Sequence, residues 1–171
     1  MKTVIVIAAT LGVAAFCSII GAGLFVESGL YNIGADDHHT KFVFGIIVQL
    51  RNRSIEFRSG NIEVHEVTDP AGLAAGAQHY ATLCSGCHLA PGVEKSEIRV
   101  GMYPHPPSLA QEEAQEPRRA FWIVKHGIKM SAMPSWSKVM NDQEIWEVVA
   151  FLRKIPDMSP ETYQQLSRNK P

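Results

Sequence analysis

The chain has 171 residues and a mass of 18.9 kDa, room for one domain with appendages. Lys and Arg number 16 against 17 Asp and Glu, a formal net charge of -1, which lacks the basic excess of a nucleic-acid binder. A hydrophobic content of 46% excludes a mainly disordered chain, and three cysteines exclude a disulfide scaffold.

No charge occurs between Lys2 and Glu27. At about 1.5 Å per residue, the run 3–26 spans about 36 Å as a helix, enough for a hydrocarbon core of about 30 Å. Its length favours an uncleaved anchor at residues 1–27 over a long cleaved signal peptide, whose apolar core is shorter. Cys17 follows Phe16 and reads as an apolar residue of that helix. Lys2 is the basic residue on the N-terminal side, and the positive-inside tendency keeps it in the cytoplasm. The rest of the chain is then expected outside, in a periplasm-like compartment, from a single pass of the inner membrane.

Residues 28–68 read as a connector. Gly29, Gly34 and the run Asp36-Asp37-His38-His39 suggest a turn. An apolar segment, 42–50, follows, with Arg51, Arg53 and Arg58 behind it. It is too short to span a bilayer. Three readings fit it: an element in the headgroup region, a contact with another subunit, or a short buried helix or strand of this chain. Residues 62–67 alternate in polarity and read as an extended linker. The adjacent pair His38–His39 has no flanking cluster of ligand-type residues, which argues against a metal site there.

Cys84-Ser85-Gly86-Cys87-His88 is a C-x-x-C-H sequence, the attachment pattern of c-type haem. Two thiols three apart on a helix can each add to a haem vinyl group, and the next residue, His88, can reach the iron. A zinc site needs two further ligands at close spacing, and no second C-x-x-C is present. A redox dithiol expects a βαβ setting, and none is visible. The expected cofactor is one covalent haem c, held by Cys84 and Cys87. Attachment of this kind occurs outside energy-transducing membranes, in agreement with the orientation read from Lys2.

Three helices are marked around the motif. Asp69-Pro70 opens the first, with Leu73, Gly76, Ala77 and Tyr80 on one face. Pro117 to His126 reads as another, ended by Gly127. Asn141 and Glu144 form a capping-box-like start to the last, whose face is Ile145, Val148, Val149 and Leu152. Lys154 suits its end and Pro156 stops it. No strand pattern is convincing between 71 and 171, so the fold class is all-α. The haem domain is placed at 69–157, and residues 158–171, with Pro160 and Pro171, read as an exposed polar tail.

Residues 69–156 resemble the class I mono-haem cytochromes c. The resemblance is carried by Gly76-Ala77-x-x-Tyr80, Cys84-x-x-Cys87-His88, Pro107-x-Leu109, Gly127-Ile128-x-Met130-x-x-Met133-Pro134 and the helix Glu144–Arg153. With the anchor and Tyr31-Asn32-Ile33-Gly34, the chain is similar to membrane-anchored bacterial members. The resemblance implies a haem-wrapping helical domain and ligation of the iron by His88 and Met133, with Met130 as the rival. His/Met ligation raises the reduction potential. The resemblance also implies that the Pro107 carbonyl accepts from the proximal histidine, with Pro91 as the rival. Gly76 and Tyr80 match the face that crosses the last helix near Val148 and Phe151. Leu109, Trp122 and Trp136 are expected at the pocket border. His105 and His126 are extra imidazoles, read as surface or rim residues.

Five basic residues lie between Arg118 and Lys138, with no acid between Glu116 and Asp142. A rim including Lys125, Lys129 and Lys138 is expected to steer an acidic partner to the haem edge. The function expected from all this is single-electron transfer between a redox donor and acceptor, as a subunit or carrier of a membrane oxidoreductase, and not catalysis. The alternative is a haem-based gas sensor or small haem enzyme with an open or labile sixth position.

Overall fold

The structure, a computed structural model, describes residues 1–168. It divides into two compact units, Met1–Asp37 and a second that starts at His38. Among the described residues the secondary structure is helical, apart from one isolated bridge between Ala90 and Val93. The first unit is α1, Lys2–Ser28, ended by Gly29 in the left-handed conformation at φ 65. It carries no charge between Lys2 and Glu27 and buries no residue. It is long and apolar enough to cross a membrane.

The second unit opens with α2, Lys41–Ser59, where the sequence suggested a short apolar segment within a connector. The Thr40 side chain accepts from the Val43 amide and caps it. Its C-terminal half docks on the protein through buried Ile55 and Ser59. Residues 62–68 then run without regular structure, and Ile62, Val64 and Val67 lie against the core. His65 stacks on Trp146, and Glu66 pairs with Arg153 at 2.8 Å.

α3 covers Pro70–Leu83, with the Asp69 carboxylate accepting from the Gly72 amide at 2.8 Å. Two short helices, α4 at Ser85–His88 and α5 at Glu97–Val100, follow. α6 is Pro117–His126, capped by the Glu116 carboxylate. A 3-10 turn, Trp136–Lys138, leads to α7, Asp142–Leu152. A second such turn holds Pro156.

α3 crosses α7, and the contact is made at Gly76. A Cβ there would collide with the Glu147 carbonyl oxygen and lie 3.1 Å from Phe151 Cβ. Tyr80 packs on Phe151, with ring centroids 5.2 Å apart. On the other side of α7, Trp146 stacks on Phe121 of α6 at 4.2 Å. These contacts belong to two clusters, one around Phe121, Met140 and Trp146, the other around Tyr80, Phe151 and Ile155.

The segment read as an exposed tail is partly core. Residues Pro160–Arg168 form α8, and its Tyr163 is buried against Tyr80 and Phe151. Leu166, one turn on, packs against the same cluster, so two apolar residues dock a helix whose other side chains are mostly polar. Pro171 lies outside the described residues.

The cap of α7 is a reciprocal pair. The Asn141 side chain accepts from the Glu144 amide at 3.0 Å, and the Glu144 carboxylate accepts from the Asn141 amide at 2.7 Å. Asn141→Ala is expected to cost about 1 kcal/mol, which lowers the melting temperature of a chain this size by about 3 °C. Thermal unfolding of the detergent-solubilised protein followed by circular dichroism checks this, and an unchanged midpoint would contradict it.

Candidate haem site

α3 ends at Cys84, which also begins α4, so the motif occupies one helical turn. The amides of Cys87 and His88 both donate to the Cys84 carbonyl, at 3.1 and 2.9 Å. Leu89 follows at φ 62 and turns the chain away. Tyr80 holds that turn, since its hydroxyl donates to the Leu89 carbonyl at 2.7 Å. The expected place of Tyr80 was on the face crossing the last helix, and this polar anchor was not legible from its position there.

All three cysteines are unpaired. Cys84 is buried, and burial, with the adjacent Cys87, pushes its thiol up to about 12. Cys87 is half-buried. His88 Nδ1 lies 3.0 Å from the Pro107 carbonyl oxygen. A carbonyl only accepts, so Nδ1 carries the proton and Nε2 keeps its lone pair. Burial lowers the His88 pKa, against the upward pull of the Pro107 bond. The Leu109 amide donates to the His88 carbonyl at 3.2 Å, so this loop and the motif clasp each other at two points. Arg99 supports the loop, donating from Nε to the Pro106 carbonyl at 3.1 Å. Leu109 lies half-buried against the Tyr80 cluster.

Two unpaired thiols and an imidazole with Nε2 left available, all on one helical turn, are the donor set that covalent haem requires. Cys84 and Cys87 fit as thioether positions and His88 as an iron ligand.

The loop after α6 is shaped by Gly127, at φ 66. A Cβ there would come within 2.6 Å of the Pro134 carbonyl carbon, so the returning strand of the loop needs a glycine. The Ile128 amide donates to the Met133 carbonyl at 3.1 Å, and the Met133 amide donates to Ser131 Oγ at 3.2 Å. Met133 is half-buried against the Phe121 and Trp146 cluster. Met130 sits between, at φ 56, fully exposed and outside the core. Trp136 also packs on that cluster, and Trp122 lies half-buried with its ring 5.0 Å from His126.

The extra histidines have protein partners. His105 Nδ1 lies 3.1 Å from the Arg99 carbonyl. His38 stacks on Tyr103 at 4.2 Å, and His39 meets the edge of the same ring. No group of three potential metal-ligating His, Cys, Asp or Glu side chains occurs among the described residues.

The basic stretch does not form one free rim. Lys125 pairs with Asp142 at 2.6 Å, Arg119 donates to Asn52 at 3.2 Å, and Arg118 donates to the Gly60 carbonyl at 3.1 Å. These cations brace α6 against α2 and α7. Lys129 and Lys138 are exposed, with no ion pair among the described residues. A count of charges along the chain cannot reveal partners that lie on other helices.

Residues 71–152 match the family model described as cytochrome C oxidase, cbb3-type, subunit III. Comparison with curated proteins and with solved structures gave no match.

Proposed function

We propose that this chain, whose residues 71–152 are a class I c-type cytochrome domain, is a membrane-anchored mono-haem carrier of single electrons. The observation that carries the reading is the Cys84–His88 turn with His88 Nδ1 bonded to the Pro107 carbonyl. Bound haem supplies one-electron chemistry between ferric and ferrous iron. Cys84 and Cys87 would hold it covalently, and His88 and Met133 would ligate its iron. Met133 is favoured over Met130 because its backbone is fixed at both ends and its side chain packs inward. Ligation by a thioether together with an imidazole would favour the ferrous state and so raise the potential.

α1 anchors the chain in the inner membrane, with the haem domain on the periplasmic side. The name of the matching family supports a place beside a membrane oxidase, as a subunit or dedicated carrier. Donor and acceptor are redox proteins, and an acidic one would meet Lys129 and Lys138, the cations left without an internal pair.

Absorption spectra of the solubilised protein test the ligation. The expected result is the weak red band of ferric iron bound by methionine, with no response of the reduced protein to carbon monoxide. Met133→Ala is expected to abolish the band and admit carbon monoxide. If Met130→Ala does this and Met133→Ala does not, the ligand assignment is wrong. Carbon monoxide binding by the unaltered protein would favour the open-site sensor or enzyme instead.

A further inference from the structure

α2 presents an apolar row to the outside. Phe42, Ile46, Leu50 and Phe57 fall within about 80° of one another around the helix axis. They are 76%, 51%, 70% and 84% exposed. The opposite side of the helix, with Val48, Asn52, Ile55 and Ser59, is the side that faces the protein and docks on α6. The row is therefore not a core face left incomplete, because the core face of this helix is already in use.

The helix carries Lys41, Arg51, Arg53 and Arg58 against one acid, Glu56; Arg53 lies within the sector of the apolar row and pairs with that acid at 3.1 Å. An apolar row on a net-basic helix suits an anionic lipid surface. The linker is long enough for α2 to reach such a surface. Residues 29–40 join α1 to α2, and at full extension they supply about 40 Å.

We propose that the Phe42–Ile46–Leu50–Phe57 face of α2 lies on the anionic headgroup layer of the membrane, with these side chains in the acyl boundary. The proposal rests on the anchored reading above. Because Arg118 and Arg119 tie α6 to the C-terminal half of α2, lipid seating of α2 fixes how α6, and the Met133 loop that follows it, are presented to partners.

The test uses the full holoprotein in vesicles of phosphatidylcholine and phosphatidylglycerol. Cys17→Ser removes the remaining free thiol, and single nitroxide labels are placed at Ile46→Cys, Leu50→Cys and, for reference, Gln165→Cys. The expected result is several-fold greater collision with lipid-soluble oxygen than with an aqueous nickel chelate at 46 and 50, and the reverse at 165. Nickel access at 46 and 50 equal to that at 165 would overturn the proposal. Access to neither reagent would mean that a protein covers the face, and would also overturn it. Ile46→Asp with Leu50→Asp is expected to erase the oxygen preference of a label at Phe57→Cys while leaving the haem spectrum unchanged. An alkaline carbonate wash reports on α1 separately: release of the chain from the vesicles would overturn the anchored reading itself.

Discussion

Replacing Gly76 by valine is expected to prevent accumulation of the folded haem domain, and Gly76→Ala to leave it severely destabilised. The Cβ of any other residue would be forced onto the Glu147 carbonyl oxygen and within 2.6 Å of its carbon. These are backbone atoms in the middle of α7, so they cannot turn aside as a side-chain tip would. The helices must part, and the Tyr80–Phe151 and Tyr80–Tyr163 contacts open with them. Overpacking in a core costs about 1–3 kcal/mol where side chains can adjust. Here the collision is with backbone, so at least about 3 kcal/mol is expected for alanine and more for valine, a large part of a typical total of 5–15 kcal/mol. Denaturant unfolding followed by circular dichroism and Soret absorbance measures the loss. A midpoint for Gly76→Ala within error of the parent would show that the crossing is looser than described. Gly76 is helix-disfavouring by propensity, so an unchanged helix with a lowered midpoint would separate the packing cost from any propensity gain.

The second large effect is on cofactor retention. Cys84→Ala together with Cys87→Ala is expected to leave no haem on the chain after denaturing electrophoresis, since no thiol of the motif remains to hold it. Each single replacement is expected to leave one thioether, with the pyridine haemochrome band moved to the red because one vinyl group stays conjugated. The two positions differ in setting. Cys84 is buried with its thiol raised to about 12, while Cys87 is half-buried. In apo-protein, alkylation is therefore expected to proceed faster at Cys87, the thiolate being the reactive form. Haem retained by the double replacement through boiling in detergent would refute covalent attachment at this turn.

Much of the fold was legible because its boundaries are chemical. Asp69 before Pro70, Pro117 with Gly127, and the Asn141 and Glu144 pair each satisfy backbone groups that a helix end leaves open. The site motif was legible for a similar reason, since its spacing is dictated by one helical turn. α2 was legible only in its first half. Beyond Leu50 the sequence Arg51-Asn52-Arg53-Ser54-Ile55-Glu56-Phe57-Arg58-Ser59 has two apolar residues, and the helix persists because Ile55 and Ser59 find a place in the protein. α8 escaped for want of any longer apolar period, its docking resting on Tyr163 and Leu166. The internal partners of Arg118, Arg119 and Lys125 were not legible, because Gly60, Asn52 and Asp142 are remote in sequence from them.

The double clasp between the motif and the Pro107 loop bears on how fast such a centre works. His88 is gripped by its ring at Pro107 and by its own carbonyl at Leu109. The partners are backbone groups, so the ring's own torsions are restrained by an acceptor that has no side-chain freedom of its own. An iron ligand held this way would be restrained alike in both charge states of the metal. Polar groups fixed in advance need not rearrange when charge moves. With haem bound, such a frame would keep the reorganisation energy of the proximal half small.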